Sequence, residues 1–352
     1  MTALTDLLLA RIARTGPMSI ADYMTDCLMH PTHGYYATRD PFGQSGDFIT
    51  APEISQVFGE LLGLSLAQSW IDQGAPAAIS LTELGPGRGT LMADALRATK
   101  AVPGFHAALT VHFIEASPVL RGAQAKAVPD AVWHDHIDSL PEQPLYLIAN
   151  EFFDALPIRQ FIRDDDGWRE KMVGQEDGSL SFGLSAPTAM AQLENRREDT
   201  KDGDLVELCP ALPHIMQTIG SRIAEHGGAA LIVDYGDWAS LGDTLQALRA
   251  HEHVDPLSTP GDCDLTAHVD FAAIAAHCGP AKFSRLTPQG VFLERLGVTA
   301  RAQSLAKALD GPALEAHIKA HRRLTHPAEM GDLFKVMGIY PTTATPPAGL
   351  EP

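Results

Sequence analysis

Apolar positions along the chain change from helical spacing near the two ends to short continuous runs in the middle. The opening helix is predicted from side chains that recur at helical spacing, namely Leu4, Leu7, Leu8 and Ile12. A break at residues 16–17 follows, and Ser19 is placed to cap a second helix. Residues 30–52 are rich in turns, and helical patterning returns at residues 53–70.

Short apolar runs in the middle of the chain predict five β-strands, at residues 78–84, 108–115, 131–133, 145–149 and 229–233. The segment between the fourth and fifth strands begins with a predicted β-hairpin over residues 158–173. Further helices are predicted near residues 269–278, 291–296, 301–309 and 314–324, with a closing strand at 334–336. Strands alternating with helices indicate an α/β fold, a mostly parallel sheet covered by helices on both faces.

This pattern divides the 352 residues into a discontinuous core and added segments. The core is predicted at residues 76–157 and 226–260. It is preceded by an N-terminal helical and lid segment at 1–75 and interrupted by an insertion of hairpin and helix at 158–225. C-terminal helices and the closing strand follow at 261–340. Residues 341–352, rich in proline and threonine, are predicted to form a loose tail.

Composition excludes several classes of protein. The chain has 26 lysines and arginines against 44 acidic residues, a formal net charge of −18, so we expect no nucleic-acid partner. Apolar runs all fall short of the roughly 20 residues that a spanning helix needs, so no membrane insertion is expected. The four cysteines form no Cys-x-x-Cys pair, which argues against a zinc cluster or a disulfide framework, and no metal site is predicted.

A glycine-rich turn follows the first predicted strand of the core. It comprises Glu83, Gly85, Pro86, Gly87 and Gly89. Glycines allow the backbone to approach a ligand closely. A dinucleotide fingerprint needs a glycine where this turn continues with threonine, so a dehydrogenase is the weakest interpretation. The pattern acidic-x-Gly-x-Gly-x-Gly is the form used by Rossmann-like folds that bind S-adenosylmethionine, whereas an ordinary βα turn is the simpler alternative.

Two further acids support a nucleoside cofactor. Glu115 falls at the end of the second predicted strand, where a carboxylate accepts hydrogen bonds from both ribose hydroxyls. Asp135 follows the third strand, within reach of an adenine amino group, although a solvated loop acid is an equal alternative for this residue. Together with Glu83, these positions favour cofactor binding over a plain turn.

The fourth strand ends in a cluster of polar and aromatic residues. Asn150, Glu151 and Asp154 flank two phenylalanines there, at the sheet edge where ligands of open α/β folds bind. Carboxylates pair with the planar fork of a guanidinium, so we predict that Glu151 and Asp154, with Asn150, act on an arginine. The alternative is a purely structural role, in which Glu151 caps a helix, Asp154 lies in a solvated loop and both phenylalanines belong to the core.

The chain resembles the MidA-like family, which includes the mitochondrial complex I assembly factor that methylates arginine. The resemblance covers about residues 15–340. It is carried by the strings at residues 34–36, 46–56, 83–90, 150–157, 234–236 and 264–271.

The resemblance implies a Rossmann-like class I methyltransferase fold with S-adenosyl-L-methionine as cofactor. It implies that Gly85, Gly87 and Glu115 hold that cofactor and that Gly46 and Asp47 belong to a lid over it. The family's mitochondrial member makes symmetric dimethylarginine on a complex I core subunit, so an arginine-bearing protein substrate is expected. Mitochondrial members carry a transit peptide and nothing before residue 14 looks like one, so a bacterial-type cytoplasmic protein is expected.

Three functional hypotheses stay open at this point. The leading one is a protein-arginine N-methyltransferase. The second is methyl transfer to a small molecule, which a pocket too closed for a peptide would favour. The third is a cofactor-binding assembly chaperone with little turnover.

Overall fold

A computed structural model of the protein describes residues 2–38 and 50–352. The lid residues predicted from the sequence, Gly46 and Asp47, lie outside the described residues. None of the helices in the described ranges is both long and apolar enough to cross a membrane.

The described helices follow one another along the chain as α1 (Ala3–Thr15), α2 (Ile20–Met29), α3 (Tyr35–Thr38), α4 (Ala51–Ile54), α5 (Gln56–Asp72), α6 (Thr90–Thr99), α7 (Phe105–Ala108), α8 (Pro118–Ala127), α9 (Leu212–His226), α10 (Phe271–His277), α11 (Gln289–Arg295), α12 (Val298–Ala306) and α13 (Gly311–Thr325). As predicted, the Ser19 hydroxyl caps α2 by accepting from the Asp22 amide at 3.0 Å.

The described strands are β1 (Met18–Ser19), β2 (Ile79–Leu84), β3 (Leu109–Ile114), β4 (Val132–His134), β5 (Leu145–Asn150), β6 (Arg159–Asp164), β7 (Gly167–Glu176), β8 (Ser179–Leu184), β9 (Leu205–Leu208), β10 (Gly228–Asp237), β11 (Gln246–Arg249), β12 (Glu252–Val254), β13 (Asp264–Thr266), β14 (Val269–Asp270), β15 (Lys282–Phe283), β16 (Thr287–Pro288) and β17 (Phe334–Tyr340).

The main sheet has the strand order β15-β17-β10-β5-β2-β3-β4. Its strands from β10 to β4 are parallel, and β17 pairs antiparallel with β10. Strands β2 and β5 are buried along their whole length, as expected for central strands with helices on both faces. The predicted sheet is therefore confirmed, and the closing strand is longer than expected.

Helices cover the sheet on both sides. On one face, Phe58 and Leu62 of α5 and Leu91 of α6 join a core with the sheet, and on the other face Met216 and Ile223 of α9 do the same. Helices α5 and α6 pack so closely that a Cβ at residue 63 would come within 2.6 Å of the Ala95 Cβ. Glycine at position 63 permits this approach.

The insertion adds a second sheet, of order β1-β7-β6-β9 with β8 paired to β7. Strands β6 and β7 form the predicted hairpin. Helix α1 packs near this sheet through Leu4, Leu8 and Ile12, whereas Leu7, which the helical pattern included, is exposed. A third small sheet, β12-β11-β13, lies in the segment after β10.

Two features differ from the sequence predictions. Residues 269–278 were expected to be one helix, but β14 occupies the first two of them and pairs with β10, so α10 begins at Phe271. The tail is packed rather than loose: Leu350 is buried, and the Ser65 hydroxyl donates to the Ala348 carbonyl at 2.8 Å. Apolar tail residues bury surface against the core, which offsets the entropy lost on ordering them.

Candidate active site

A cavity of about 1010 Å³ opens at the carboxyl ends of the parallel strands. Its lining includes residues from the glycine-rich turn and from the ends of β3, β5 and β10. This is the edge at which open α/β sheets bind their ligands. Several predicted site residues therefore lie around one cavity, because the strands that they follow end at the same edge of the sheet.

The glycine-rich turn has a backbone that other residues adopt poorly. Gly85, Gly87 and Gly89 have φ of 59°, 52° and 81°, all in the left-handed region. A Cβ at Gly85 would lie 3.0 Å from the Phe152 ring. Gly85, Gly87 and Pro86 line the cavity, whereas Gly89 starts helix α6 as its N-cap residue.

Glu83 is a buried acid whose charge no described residue neutralises. The residue is 3% exposed, and its Oε2 has no hydrogen-bond partner within the described ranges. Burial raises the pKa of Glu83 to about 8, and the nearby charge of Glu115 acts in the same direction. A buried acid with one unpartnered oxygen at the wall of a cavity fits a cationic group of a ligand.

Glu115 is held in place by two donors. Its Oε1 accepts from the Ser117 amide at 2.7 Å, and its Oε2 accepts from the Gln124 side-chain amide at 2.9 Å. Burial raises the pKa of Glu115, and the two hydrogen bonds partly offset that rise. Glu115 lines the cavity, as expected from its place at the end of the second predicted strand.

Gln124 connects the two parts of the candidate cofactor site. Its Nε2 donates to the Gly87 carbonyl at 2.8 Å as well as to Glu115, and its Oε1 accepts from the Trp133 indole at 2.8 Å. Its side chain is fully buried. Reasoning from the sequence missed this residue, because a glutamine within a helix carries no local signal of such contacts.

We predict that Gln124→Leu lowers the affinity for S-adenosylhomocysteine about 10-fold, because Glu115 and Gly87 lose a buried donor. Isothermal titration calorimetry measures this affinity. The matched control is Gln68→Leu, at an exposed position of α5. Equal affinity in the Gln124 variant and the wild type would show that Gln124 does not organise the site.

Asp135 is placed differently from Glu115. Its side chain is 76% exposed and forms an ion pair with Arg121 at 2.5 Å. It nevertheless lines the same cavity. An exposed, already paired carboxylate contributes less to ligand affinity than a buried one.

The segment after β5 carries a strained residue. Glu151 has φ of 51°, a left-handed conformation that costs a non-glycine residue about 1–2 kcal/mol. Its amide donates to the Val233 carbonyl at 2.9 Å, which anchors it to β10. Its Oε1 accepts from the Ala51 amide at 3.2 Å and from the Asn150 side chain at 3.1 Å. These contacts hold the carboxylate at the cavity wall.

Asp234 positions this segment from the next strand. It is fully buried at the end of β10, and its Oδ2 accepts from the amides of Phe153 and Asp154 at 3.0 and 3.2 Å. Its Oδ1 accepts from the Tyr235 amide at 3.0 Å. Burial raises the pKa of Asp234 well above its ordinary value, and the charges of Asp154 and Glu151 add to this rise.

Asp154 completes a cluster of three acids with Glu151 and Asp234. The residue is 6% exposed, and its Oδ1 has no hydrogen-bond partner in the described part of the chain. Burial raises the pKa of Asp154 to about 6 and that of Glu151 to about 7, where the charge of Asp154 adds to the effect. Of the two phenylalanines, Phe152 lines the cavity and Phe153 is buried in the core.

Aromatic residues enclose the acidic part of the cavity. The Tyr36 hydroxyl donates to Asp264 at 2.8 Å. The Tyr235 ring contacts the rings of His268 and Phe334 edge-on, at centroid distances of 5.3 and 5.5 Å. Periodicity alone did not identify Tyr36 or Asp264 as site residues, although both fall within the strings that carry the family resemblance.

We predict that Glu151→Gln stabilises the ligand-free protein more at pH 8 than at pH 5, by about 1–2 kcal/mol. The folded-state pKa, about 7, lies above the ordinary value of 4.5. The folded wild type therefore keeps a proton that the unfolded chain releases, and its stability falls as pH rises through 7. Urea unfolding of both proteins at the two pH values measures the difference, and a pH-independent difference would contradict the prediction.

The chain matches a family model described as S-adenosyl-L-methionine-dependent methyltransferases over residues 61–288. It is 36% identical to the mitochondrial protein arginine methyltransferase NDUFAF7 of Danio rerio, over 95% of this chain and 86% of the relative. The human protein of that name is 34% identical, over 95% and 82%.

Solved structures agree with this similarity. A crystal structure of a Burkholderia thailandensis protein bound to S-adenosyl-homocysteine superposes with a TM-score of 0.82 and 28% identity, covering 99% of this chain and 94% of that one. A native crystal structure from the same organism gives 0.78 and 30%, covering 96% and 91%. The predicted fold class is confirmed.

The expected cytoplasmic location is contradicted, because the curated relatives are named mitochondrial proteins. The expectation rested on the residues before Arg14. Those residues form most of α1, whose Leu4 and Leu8 are buried. The apolar pattern of these residues therefore reflects the packing of α1 and gives no information on the cellular location.

Proposed function

Because the chain belongs to the family of S-adenosyl-L-methionine-dependent methyltransferases, we propose that it methylates the guanidinium of arginine in a protein substrate. The observation that carries this proposal is the acidic cluster after β5, where Glu151 and Asp154 lie at the wall of the cavity. The relatives named protein arginine methyltransferases support it. The enzyme class and the cofactor do not depend on this choice of acceptor.

The residues of the cavity fit S-adenosylmethionine. The glycine turn leaves free the space that a Cβ at Gly85 would take, and the unpartnered Glu83 Oε2 suits the ammonium of the methionine end. In our proposal Glu115 accepts from the ribose hydroxyls and Asp135 faces the adenine amino group. Bound there, the cofactor supplies a methyl group activated by its sulfonium.

The acidic cluster is suited to bind and orient a guanidinium. Glu151 and Asp154 present carboxylates to its planar fork, and Asn150 holds Glu151 by a hydrogen bond. Asp234 fixes the backbone between them. Proximity and alignment then contribute most of the rate, because the methyl group is already activated.

The same carboxylates are placed to accept the proton that the guanidinium loses on methylation. When the nitrogen–carbon bond forms and the sulfur–carbon bond breaks, the guanidinium nitrogen releases one proton. The pKa of Glu151 is raised to about 7 by burial and that of Asp154 to about 6 by burial, so either carboxylate accepts a proton near neutral pH. We assign this role to Glu151 and Asp154 together.

Three finer points stay predictions. They are the complex I subunit as target, the symmetric dimethylation implied by the family resemblance, and the lid formed by Gly46 and Asp47. None of them is needed for the proposed chemistry of Glu151 and Asp154.

Identification of the methylated amino acid tests the proposal. The purified protein and its Glu151→Gln variant are incubated with methyl-labelled S-adenosylmethionine and a mitochondrial protein extract. After complete hydrolysis, we expect label in methylarginine with the wild type only. Label in another amino acid or in a small molecule would overturn the proposal and favour a different acceptor.

A further inference from the structure

Arg323 is a cation in a cavity whose charged lining residues are mostly acids. It lies on α13, beyond the residues that the family model matches, and its side chain lines the cavity. The acidic lining residues among those described are Glu53, Glu83, Glu115, Asp135, Asp138, Glu151, Asp154 and Asp264. Among the described lining residues, the only lysine or arginine besides Arg323 is Arg88.

The Arg323 side chain is exposed at the cavity. It makes no hydrogen bond or ion pair with the residues that the structure describes, whereas Arg88 is engaged in another interaction. The adjacent Arg322 is different, because its guanidinium pairs with Glu329 at 2.9 Å on the outer surface. A planar guanidinium at a cavity wall matches a carboxylate in bidentate geometry.

The surroundings of Arg323 connect it to the glycine-rich turn. Helix α13 packs against α4. From α4, Glu53 accepts a hydrogen bond of 2.6 Å from the hydroxyl of Thr90, the first residue of α6 after the turn. The positive charge of Arg323 also lowers the pKa of Glu151. Glu151 follows Asn150, the last residue of β5, and β5 pairs with β2. Arg323 therefore lies on the side of the cavity that is formed by α4 and the end of β5.

We infer that Arg323 binds the α-carboxylate at the methionine end of the cofactor. That end carries an ammonium and a carboxylate. The ammonium is attracted by acids such as Glu83, but the same acids repel the carboxylate unless a cation lies beside it. The inference rests on the cofactor assignment and is independent of the methyl acceptor.

Calorimetric titration with two ligands tests this inference. The ligands are S-adenosylhomocysteine and its analogue without the carboxylate, 5′-deoxy-5′-(3-aminopropylthio)adenosine. We expect Arg323→Ala to weaken S-adenosylhomocysteine binding about 10- to 100-fold and to leave the affinity for the analogue within about 2-fold. The matched control, Arg322→Ala, should bind both ligands like the wild type.

The outcomes separate this inference from the cofactor assignment. Unchanged binding of S-adenosylhomocysteine to Arg323→Ala, or an equal loss for both ligands, would overturn the role of Arg323 while the cofactor assignment stands. A wild type that binds neither ligand would overturn both. Thermal unfolding of each variant shows that the fold is kept.

Discussion

Glu151→Gln and Asp154→Asn are each expected to lower the rate of methyl transfer about 100-fold or more, while S-adenosylhomocysteine still binds. Each substitution removes a carboxylate that pairs with the guanidinium and accepts its proton, but neither alters the glycine turn or Glu115. In the wild type, kcat/KM should rise between about pH 6 and pH 8, because burial raises the pKa of Glu151 to about 7 and that of Asp154 to about 6.

The matched control for these variants is Asp130→Asn, at an exposed position away from the cavity. It should keep the wild-type rate. A chaperone with little turnover would retain its biological function in Glu151→Gln and Asp154→Asn, whereas a methyltransferase would lose it. Complementation of a deletion strain therefore distinguishes the chaperone hypothesis from the enzyme hypothesis. Wild-type methylation by both variants would refute the proposed role of the acidic cluster.

Gly85→Val is expected to abolish cofactor binding, with an affinity loss of about 100-fold or more. A β-branched residue tolerates a φ of 59° poorly, and its Cβ would lie 3.0 Å from the Phe152 ring at the cavity wall. The added methyl groups would also enter the space between the backbone and the ligand. Calorimetry with S-adenosylhomocysteine measures the loss.

Gly74→Val is the control that distinguishes the effect of backbone strain from the effect of damage to the cofactor site. Gly74 has φ of 88°, and a Cβ there would meet nothing within 4 Å. Both substitutions should reduce stability, but only the change at Gly85 should reduce affinity. Should Gly85→Val fail to fold, Gly85→Ala provides the smaller change. Normal binding by the Gly85 variants would mean that the turn is not part of the cofactor site.

The features that sequence reasoning predicted well depend on short stretches of chain. The buried strands β2 and β5 are continuous apolar runs, and the turn after β2 needs glycines within five residues. Glu115 was identifiable because parallel strands end at one edge of the sheet. The hairpin of β6 and β7 was predictable from the three aspartates and the glycine of the turn at residues 164–167.

The features that were missed depend on contacts between distant parts of the chain. Asp234 lies in a string that carries the family resemblance, but its support of the segment after β5 comes from a strand about eighty residues later. Gln124 joins a helix to the turn before it. Arg323 reaches the cavity from a C-terminal helix whose own pattern is ordinary. Leu350 was assigned to a loose tail because its partners, around Gly338, are not adjacent in sequence.

Binding of Nα-acetyl-arginine methyl ester to the protein loaded with S-adenosylhomocysteine tests whether Glu151 and Asp154 form a guanidinium site. Calorimetry should detect the arginine probe but not the matching lysine probe, and the affinity should fall about 10-fold in Glu151→Gln and in Asp154→Asn. Equal binding of the two probes, or binding of the arginine probe that both variants retain, would contradict a guanidinium site formed by Glu151 and Asp154.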